Sequence, residues 1–257
     1  MDVLSNILGD NMSPEHLTYV SYAVMAIITI ITIFFLRSQM FGKKTSRKKH
    51  ILFVGPEKTG KTVLTNLLAH GTKPHHDTVT SMTPTRRTGN NLELTDFPGS
   101  AQARDASLDQ QLASAAGVVF VIDGRFSTMT EEARSTAQLM KRVLVNAAFR
   151  ERQIPLLVAF NKIDLISNGP KITDEISSSV WLQEQRSLLE RELDGIKDEM
   201  LTSTGDNNTA SHQLGTEEKF VFQDDVDSPV DFCCNTCEEE TNGIRMVSLF
   251  CRNSLQK

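Results

Sequence analysis

The sequence predicts an α/β fold built on a parallel sheet, preceded by one membrane-spanning helix. Three observations carry this expectation. After residue 50, apolar runs of strand length alternate with helical patterns, the order that yields parallel strands joined by crossover helices. The first of these runs, Ile51-Leu52-Phe53-Val54, leads into Gly55-Pro56-Glu57-Lys58-Thr59-Gly60-Lys61-Thr62, a phosphate-loop pattern that works between a strand and a helix. Ahead of both, Leu17 to Leu36 carries no charge in twenty positions.

Residues 1–16 read as a short lumenal end, 17–36 as the transmembrane helix and 37–50 as a basic cytosolic tether. Twenty helical residues reach about 30 Å, the depth of a bilayer's hydrocarbon core. Tyr19 and Tyr22, the two tyrosines of the chain, stand near the first turns, and Phe34 and Phe35 near the last. Aromatics at both ends suit the two membrane interfaces. A cleaved signal peptide would have a shorter apolar region, with a basic stretch before it; here Asp2, Asp10 and Glu15 come first. Residues 1–36 hold no Lys or Arg, whereas 37–50 hold Arg37, Lys43, Lys44, Arg47, Lys48 and Lys49. Positive charge stays in the cytosol, so everything after the span is expected there. The basic run could also be a nuclear or RNA-binding patch. Beside a spanning helix it serves more simply as a stop signal, touching anionic lipid at ~1 kcal/mol per charge.

Residues 51–257 form the remaining domain, roughly 205 residues, enough for one full core. They carry 21 of the 27 Lys and Arg but 29 of the 32 Asp and Glu. This acidic balance argues against broad nucleic-acid binding, and no direct sequence-specific contact with nucleic acid is expected.

In the phosphate loop the two glycines let the backbone turn its N–H groups, and the start of the helix over Thr62 to His70, toward negative charge. Lys61 would reach the β and γ phosphates and the Thr62 hydroxyl would bind Mg²⁺. A second element, Asp96-Phe97-Pro98-Gly99, closes the strand Asn91 to Thr95. Alone it would be an ordinary Pro-Gly turn. A third, Asn161-Lys162-Ile163-Asp164, follows the buried run Ile154 to Phe160, at the carboxyl end of a strand where ligands of α/β sheets sit.

These motifs, in this order, resemble the Ras-like GTPase superfamily. The resemblance implies a mostly parallel six-stranded sheet flanked by helices, with GTP or GDP and Mg²⁺ as ligands. It makes Asp164 the acceptor for guanine N1–H and the 2-amino group, a donor pair that adenine lacks. It has Asp96 hold Mg²⁺ through a water and the Gly99 N–H contact the γ-phosphate, so that the following segment becomes a switch. Asn161 and Lys162 join Asp164 on the guanine side. Where many Ras-like proteins have a water-orienting Gln, this chain has Ser100, with Gln102 nearby; intrinsic hydrolysis is therefore expected to be slow or dependent on a partner. The segment Asp77 to Thr83 offers several hydroxyls for the Mg²⁺ shell; Thr80 is the first choice, with Thr83 and Ser81 behind it. After the strand Val230 to Cys234, Asn235-Thr236-Cys237 occupies the place of the family's last guanine loop, which assigns Thr236 and Cys237 to the base.

The helical stretches are expected over Glu131 to Phe149 and Asp174 to Met200, with a further strand over Gly117 to Asp123 and a mobile insertion over 202–216. Cys234 and Cys237 have Cys-x-x-Cys spacing, but no second ligand pair with zinc spacing accompanies them, so Cys233, Cys234, Cys237 and Cys251 are read as packing residues. His75 and His76 read as a solvated pair.

A single amino-terminal span, a basic tether and a Ras-like domain with Asp-x-Pro-Gly resemble the β subunits of the signal recognition particle receptor. The likeness extends to Phe220-Val221-Phe222 and Pro229-Val230-Asp231-Phe232 ahead of the last guanine loop. It implies a single-pass endoplasmic reticulum membrane protein that, in its GTP state, holds the receptor's α subunit and so serves ribosome and translocon indirectly. An Arf-like regulator of vesicle traffic with a peptide anchor is the alternative within the class. Outside it stand a phosphotransferase or ATPase, which Asp164 argues against, and a constitutive anchor with a structural nucleotide.

Overall fold

The computed structural model describes residues 22, 24, 25, 27, 29, 32, 49–72, 82–99, 107–126, 130–166, 175–197, 214, 215, 219–237 and 242–256. Two compact units are present, 1–47 and 48–257. In the first, the six described residues are helical; Thr29 and Thr32 return their hydroxyls to the carbonyls of Met25 and Thr29 at 2.7 and 3.0 Å. Most of 17–36 lies outside the described residues, and among those described no helix is long and apolar enough to cross a membrane.

In the second unit the order is β1 (His50–Val54), α1 (Lys61–His70), β2 (Thr85–Gly89), β3 (Leu92–Asp96), α2 (Leu108–Leu112), β4 (Ala115–Asp123), α3 (Thr130–Leu144), α4 (Ala147–Glu151), β5 (Leu156–Asn161), α5 (Glu175–Ile196), α6 (Phe222–Asp225), β6 (Val230–Cys234) and α7 (Asn242–Gln256). The strands form one six-stranded sheet in the order β2-β3-β1-β4-β5-β6, parallel except for β2. This is the expected mixed α/β Ras-like architecture.

Period two along the central strands builds two cores, one on each face of the sheet. Ile51 and Phe53 of β1, Val119 and Val121 of β4, and Leu157 and Ala159 of β5 pack against α1 and α7. Leu52 and Val54, Val118 and Phe120, and Val158 and Phe160 pack against α3, α4 and α5. The sheet buried on both faces reads as continuous apolar runs for that reason.

Three elements depart from the sequence expectations. The sixth strand, β2, has the sequence Thr-Arg-Arg-Thr-Gly and is largely exposed, so no hydrophobic pattern announced it. It is formed instead by a two-residue turn: Asn90 and Asn91 both take positive φ, 50° and 60°, and Gly89 pairs with Leu92, the geometry of a tight hairpin. The single helix expected over 131–149 is two helices. Asn146 adopts an extended conformation, and its side-chain oxygen accepts from the Ala148 and Phe149 N–H groups at 3.0 and 3.3 Å, which starts α4 afresh. Within 202–216 only Leu214 and Gly215 are described, and Leu214 is buried in the core.

α5 is secured at its end by a buried lysine. The Lys141 ammonium of α3 donates to the carbonyls of Ile196 and Lys197 at 2.6 and 2.7 Å, satisfying groups that every helix end leaves open. The returning chain is held by the same helix: Asp194 accepts from the Phe220 N–H at 3.0 Å, and Glu190 from the Phe222 N–H at 3.1 Å.

Candidate functional site

The site is built where β1, β3, β5 and β6 end. β1 feeds the loop 55–60, and α1 begins at Lys61, so the first turn of a ten-residue helix faces the loop's concavity. The tightness of this turn dictates its glycines. A Cβ on Gly55 would stand 2.1 Å from the Val121 carbonyl oxygen, and Gly60, at φ 89°, would place one 2.4 Å from Asn161 Nδ2. The Lys61 side chain is buried and curls back along the loop, its ammonium donating to the Gly55 and Pro56 carbonyls at 3.0 and 2.5 Å. Thr59 donates to the Pro56 carbonyl at 3.1 Å. Glu57 and Lys58 are exposed on the outside of the loop, Lys58 with a positive φ of 59°.

Beside the loop, the Thr62 hydroxyl donates to Asp96 Oδ2 at 2.6 Å. Asp96 ends β3, and the next residue is pinned to β1 by the Phe97 N–H donating to the Phe53 carbonyl at 3.0 Å. This hold brings Gly99 against the backbone of Glu57. Burial pushes the Asp96 carboxyl above the ordinary aspartate range; the Thr62 hydrogen bond and the charges of Lys61 and Arg87 pull it back only in part.

On the opposite side, Asn161 is the centre of a buried brace. Its Nδ2 donates to the Thr59 carbonyl at 2.8 Å, while its Oδ1 accepts from Asn235 Nδ2 at 3.2 Å and from the Cys237 thiol at 3.6 Å. Lys162, at φ 62°, donates its ammonium to the Lys58 carbonyl and to Asp123 Oδ2, the latter at 3.3 Å. Asp164 stands at the exposed rim and accepts from the Thr236 hydroxyl. The two base-side loops are further joined through the backbone, Asn235 N–H to the Phe160 carbonyl at 2.7 Å and Ile163 N–H to the Asn235 carbonyl at 3.4 Å.

The structure thus brings together Gly55 to Thr62, Asp96, Gly99, Asn161, Lys162, Asp164, Thr236 and Cys237, whereas Thr83, one of the expected hydroxyls, stands exposed. Thr80, Ser81, Ser100, Gln102, His75 and His76 lie outside the described residues. Three neighbours of the site carry no assigned role in the sequence. Asn235 is fully buried and braces Asn161. Asp123 holds Lys162 and is clamped by Arg125 at 3.0 Å. Burial raises the Asp123 carboxyl, but the Arg125 hydrogen bonds with the charges of Lys162 and Arg125 outweigh it and hold the group below the ordinary range. Arg87 reaches the site from β2. Asn235 was next to the assigned Thr236; Asp123 closes a buried strand, a position that attracts ligands; Arg87 left no signal.

The donor set fits a phosphate-bearing ligand with a divalent cation. A buried ammonium satisfied by two backbone carbonyls has charge to offer a phosphate. Thr62 Oγ1 and Asp96 Oδ2 are adjacent hard oxygens of the kind that Mg²⁺ takes. Cys233 and Cys251 belong to the core; burial pushes the Cys251 thiol up to about 12. Among the described residues no His, Cys, Asp and Glu cluster could hold a metal ion.

Comparison with known proteins points the same way. A family described as the signal recognition particle receptor beta subunit matches residues 46–225. The signal recognition particle receptor subunit beta of Rattus norvegicus is 32% identical over 212 residues, covering 79% of this chain and 72% of that protein. Among solved structures, the mammalian SRP receptor superposes with a TM-score of 0.60 at 26% identity, over 80% of this chain and 100% of that one. The SRb-GTP/SRX complex from Chaetomium thermophilum gives 0.54 at 21% identity, over 78% and 97%, and shows likeness of fold.

Proposed function

The chain belongs to the family of signal recognition particle receptor β subunits, and from that premise we propose that it is a membrane-anchored guanine-nucleotide switch. In its GTP state it holds the α subunit of the receptor at the endoplasmic reticulum membrane, and through that subunit it helps bring translating ribosomes to the translocon.

The observation that carries the reading is the brace between the phosphate loop and the two base-side loops. Asn161 ties Thr59 to Asn235, and Thr236 sets the Asp164 carboxylate. A carboxylate fixed in this way rejects a base that offers no matching donors, because pairing would leave it unsatisfied. Lys61, whose ammonium donates to the Gly55 and Pro56 carbonyls, would reach β and γ phosphate oxygens. Thr62 and Asp96 would hold Mg²⁺, with a hydroxyl of the 78–83 segment, Thr80 first, completing the set. When bound, the cation neutralises phosphate charge. Gly99, held against the loop, is positioned to donate its N–H to the γ-phosphate, and loss of that phosphate releases the segment that follows and with it the partner.

Structures of similar fold support the ligand set: one is an SRb-GTP/SRX complex and another an SRb-GDP-Mg structure, both from Chaetomium thermophilum. For the membrane, the support is the uncharged run 17–36 with its basic flank. Its described residues are helical, with Tyr22, Met25 and Ile27 well exposed, as lipid contact requires. Ser100 in place of a water-orienting Gln gives slow hydrolysis without a partner.

The test uses the full chain in detergent, loaded with a non-hydrolysable GTP analogue or with GDP and offered solubilised endoplasmic reticulum membranes. Capture of the receptor α subunit by the GTP form alone is expected. Equal capture by both forms would reduce the nucleotide to a structural cofactor, and capture of a coat component would replace the reading.

A further inference from the structure

We propose that Arg87 is a positioning residue for the cation half of this site: a resident positive charge on the edge strand that holds Asp96 and keeps the affinity for a divalent cation low. The inference rests on the nucleotide-binding reading above and goes beyond it.

In the β2–β3 ladder Thr85 pairs with Asp96 and Arg87 with Leu94. Paired residues and residues two apart share a face of the sheet, so Arg87 rises on the same face as Asp96. Its side chain is then trapped between strand and helix. Nε donates to Asn66 Oδ1 at 2.6 Å, and Nη1 stands 3.6 Å from Asp96 Oδ2, with the two side chains only 16% and 5% exposed. Asn66 lies one helical turn beyond Thr62 on α1, so one helix face positions both groups that meet Asp96 Oδ2. The Thr62 hydroxyl contributes a hydrogen bond at 2.6 Å. Arg87 contributes charge, since Nη1 is buried without a hydrogen-bond partner and is too far from Oδ2 to donate.

A cation arriving at Asp96 therefore shares the carboxylate with a guanidinium already there, and like charges at such range repel even with the screening of a protein surface. Removing Arg87 has two opposed effects, less repulsion and less help in keeping Asp96 charged. The first wins, because the Thr62 hydroxyl donates to the carboxylate at 2.6 Å whereas Arg87 stands 3.6 Å away without donating. The arginine also makes cation affinity depend on the placement of an exposed hairpin remote from the phosphate loop in sequence.

The experiment measures release of a fluorescent GDP from the full chain in detergent across a Mg²⁺ titration begun in chelator. In Arg87→Met, which keeps length and loses charge, the Mg²⁺ concentration that half-slows release is expected to fall about five- to tenfold. Arg87→Lys should stay within about twofold of the parent, and Asn66→Ala, which unties the guanidinium, should fall by a smaller factor. Preference for GDP over IDP should not change in any of them. The same midpoint in Arg87→Met and parent would overturn the proposal, as would an equal shift in Arg87→Lys, which would make shape the cause. If Arg87→Met does not fold, an unmoved midpoint in Asn66→Ala is decisive against it. A parent chain that binds no guanine nucleotide, or releases it at a rate indifferent to Mg²⁺, defeats the underlying reading and this inference together.

Discussion

The two halves of the candidate site are held ready by opposite kinds of interaction. On the base side, Asn161, Asn235 and Thr59 are joined by amide hydrogen bonds in a buried setting, and none of these bonds has to break for a base to arrive. On the phosphate and cation side, the charged groups lean on partners for which a ligand would compete: Lys61 on two loop carbonyls, Asp96 on the Thr62 hydroxyl. A neutral brace supplies a rigid template, whereas a set of borrowed partners supplies a trigger, because its state changes when the ligand comes or goes.

This contrast can be broken at several points. Lys61→Ala removes the charge that leaves the loop for the phosphates, and the loss of two charge-assisted bonds predicts an affinity for GTP lower by about a thousandfold; calorimetry reads it directly. Asp164→Ala acts on the template alone. GTP affinity should fall about a hundredfold, with ITP, which lacks the 2-amino group, losing less, so the GTP:ITP ratio drops. Asn235→Ala leaves Asn161 Oδ1 short of its amide donor and should weaken GTP about tenfold and cost about 1–2 kcal/mol in denaturant unfolding.

Acid separates the halves without mutation. Because burial sets the Asp96 value in the fold above that of an unfolded aspartate, the folded protein takes up this proton first as pH falls from neutral. The nucleotide-free domain gains slightly from that uptake while cation binding weakens. The Mg²⁺ concentration needed to slow GDP release should therefore rise severalfold on acidification while the preference for guanine over hypoxanthine holds. Smallest of all, Cys237→Ala removes a weak thiol donor 3.6 Å from Asn161 and should move affinity by less than about twofold in the same calorimetric assay.

The template half was largely legible in the sequence, and the trigger half only in outline. Asn161, Lys162 and Asp164 are contiguous in one motif, and Thr236 follows a strand whose limits, Val230 to Cys234, were read correctly. The phosphate loop was legible for the same reason, since a string of neighbours forms one turn. Arg87 was not. Its role depends on a register between two strands, and its strand has no apolar period because it lies at an open edge where the hairpin turn, rather than burial, fixes it. The break at Asn146 was lost in a continuous amphipathic pattern: a single capping residue overrode the propensity of its neighbours. Leu214 shows the limit of composition, one leucine among polar residues that nonetheless reaches the core.

The clamp at the end of α5 has a bearing on how this domain can be altered. Lys141 fixes the point where the chain departs after residue 197, and Asp194 and Glu190 fix the point where it comes back at Phe220 and Phe222. Departure and return are moored to a single helix. A change of chain length between those two points therefore loads one helix rather than the strands that carry the nucleotide loops, and a tag or reporter grafted there has to spare Leu214, which packs into the core.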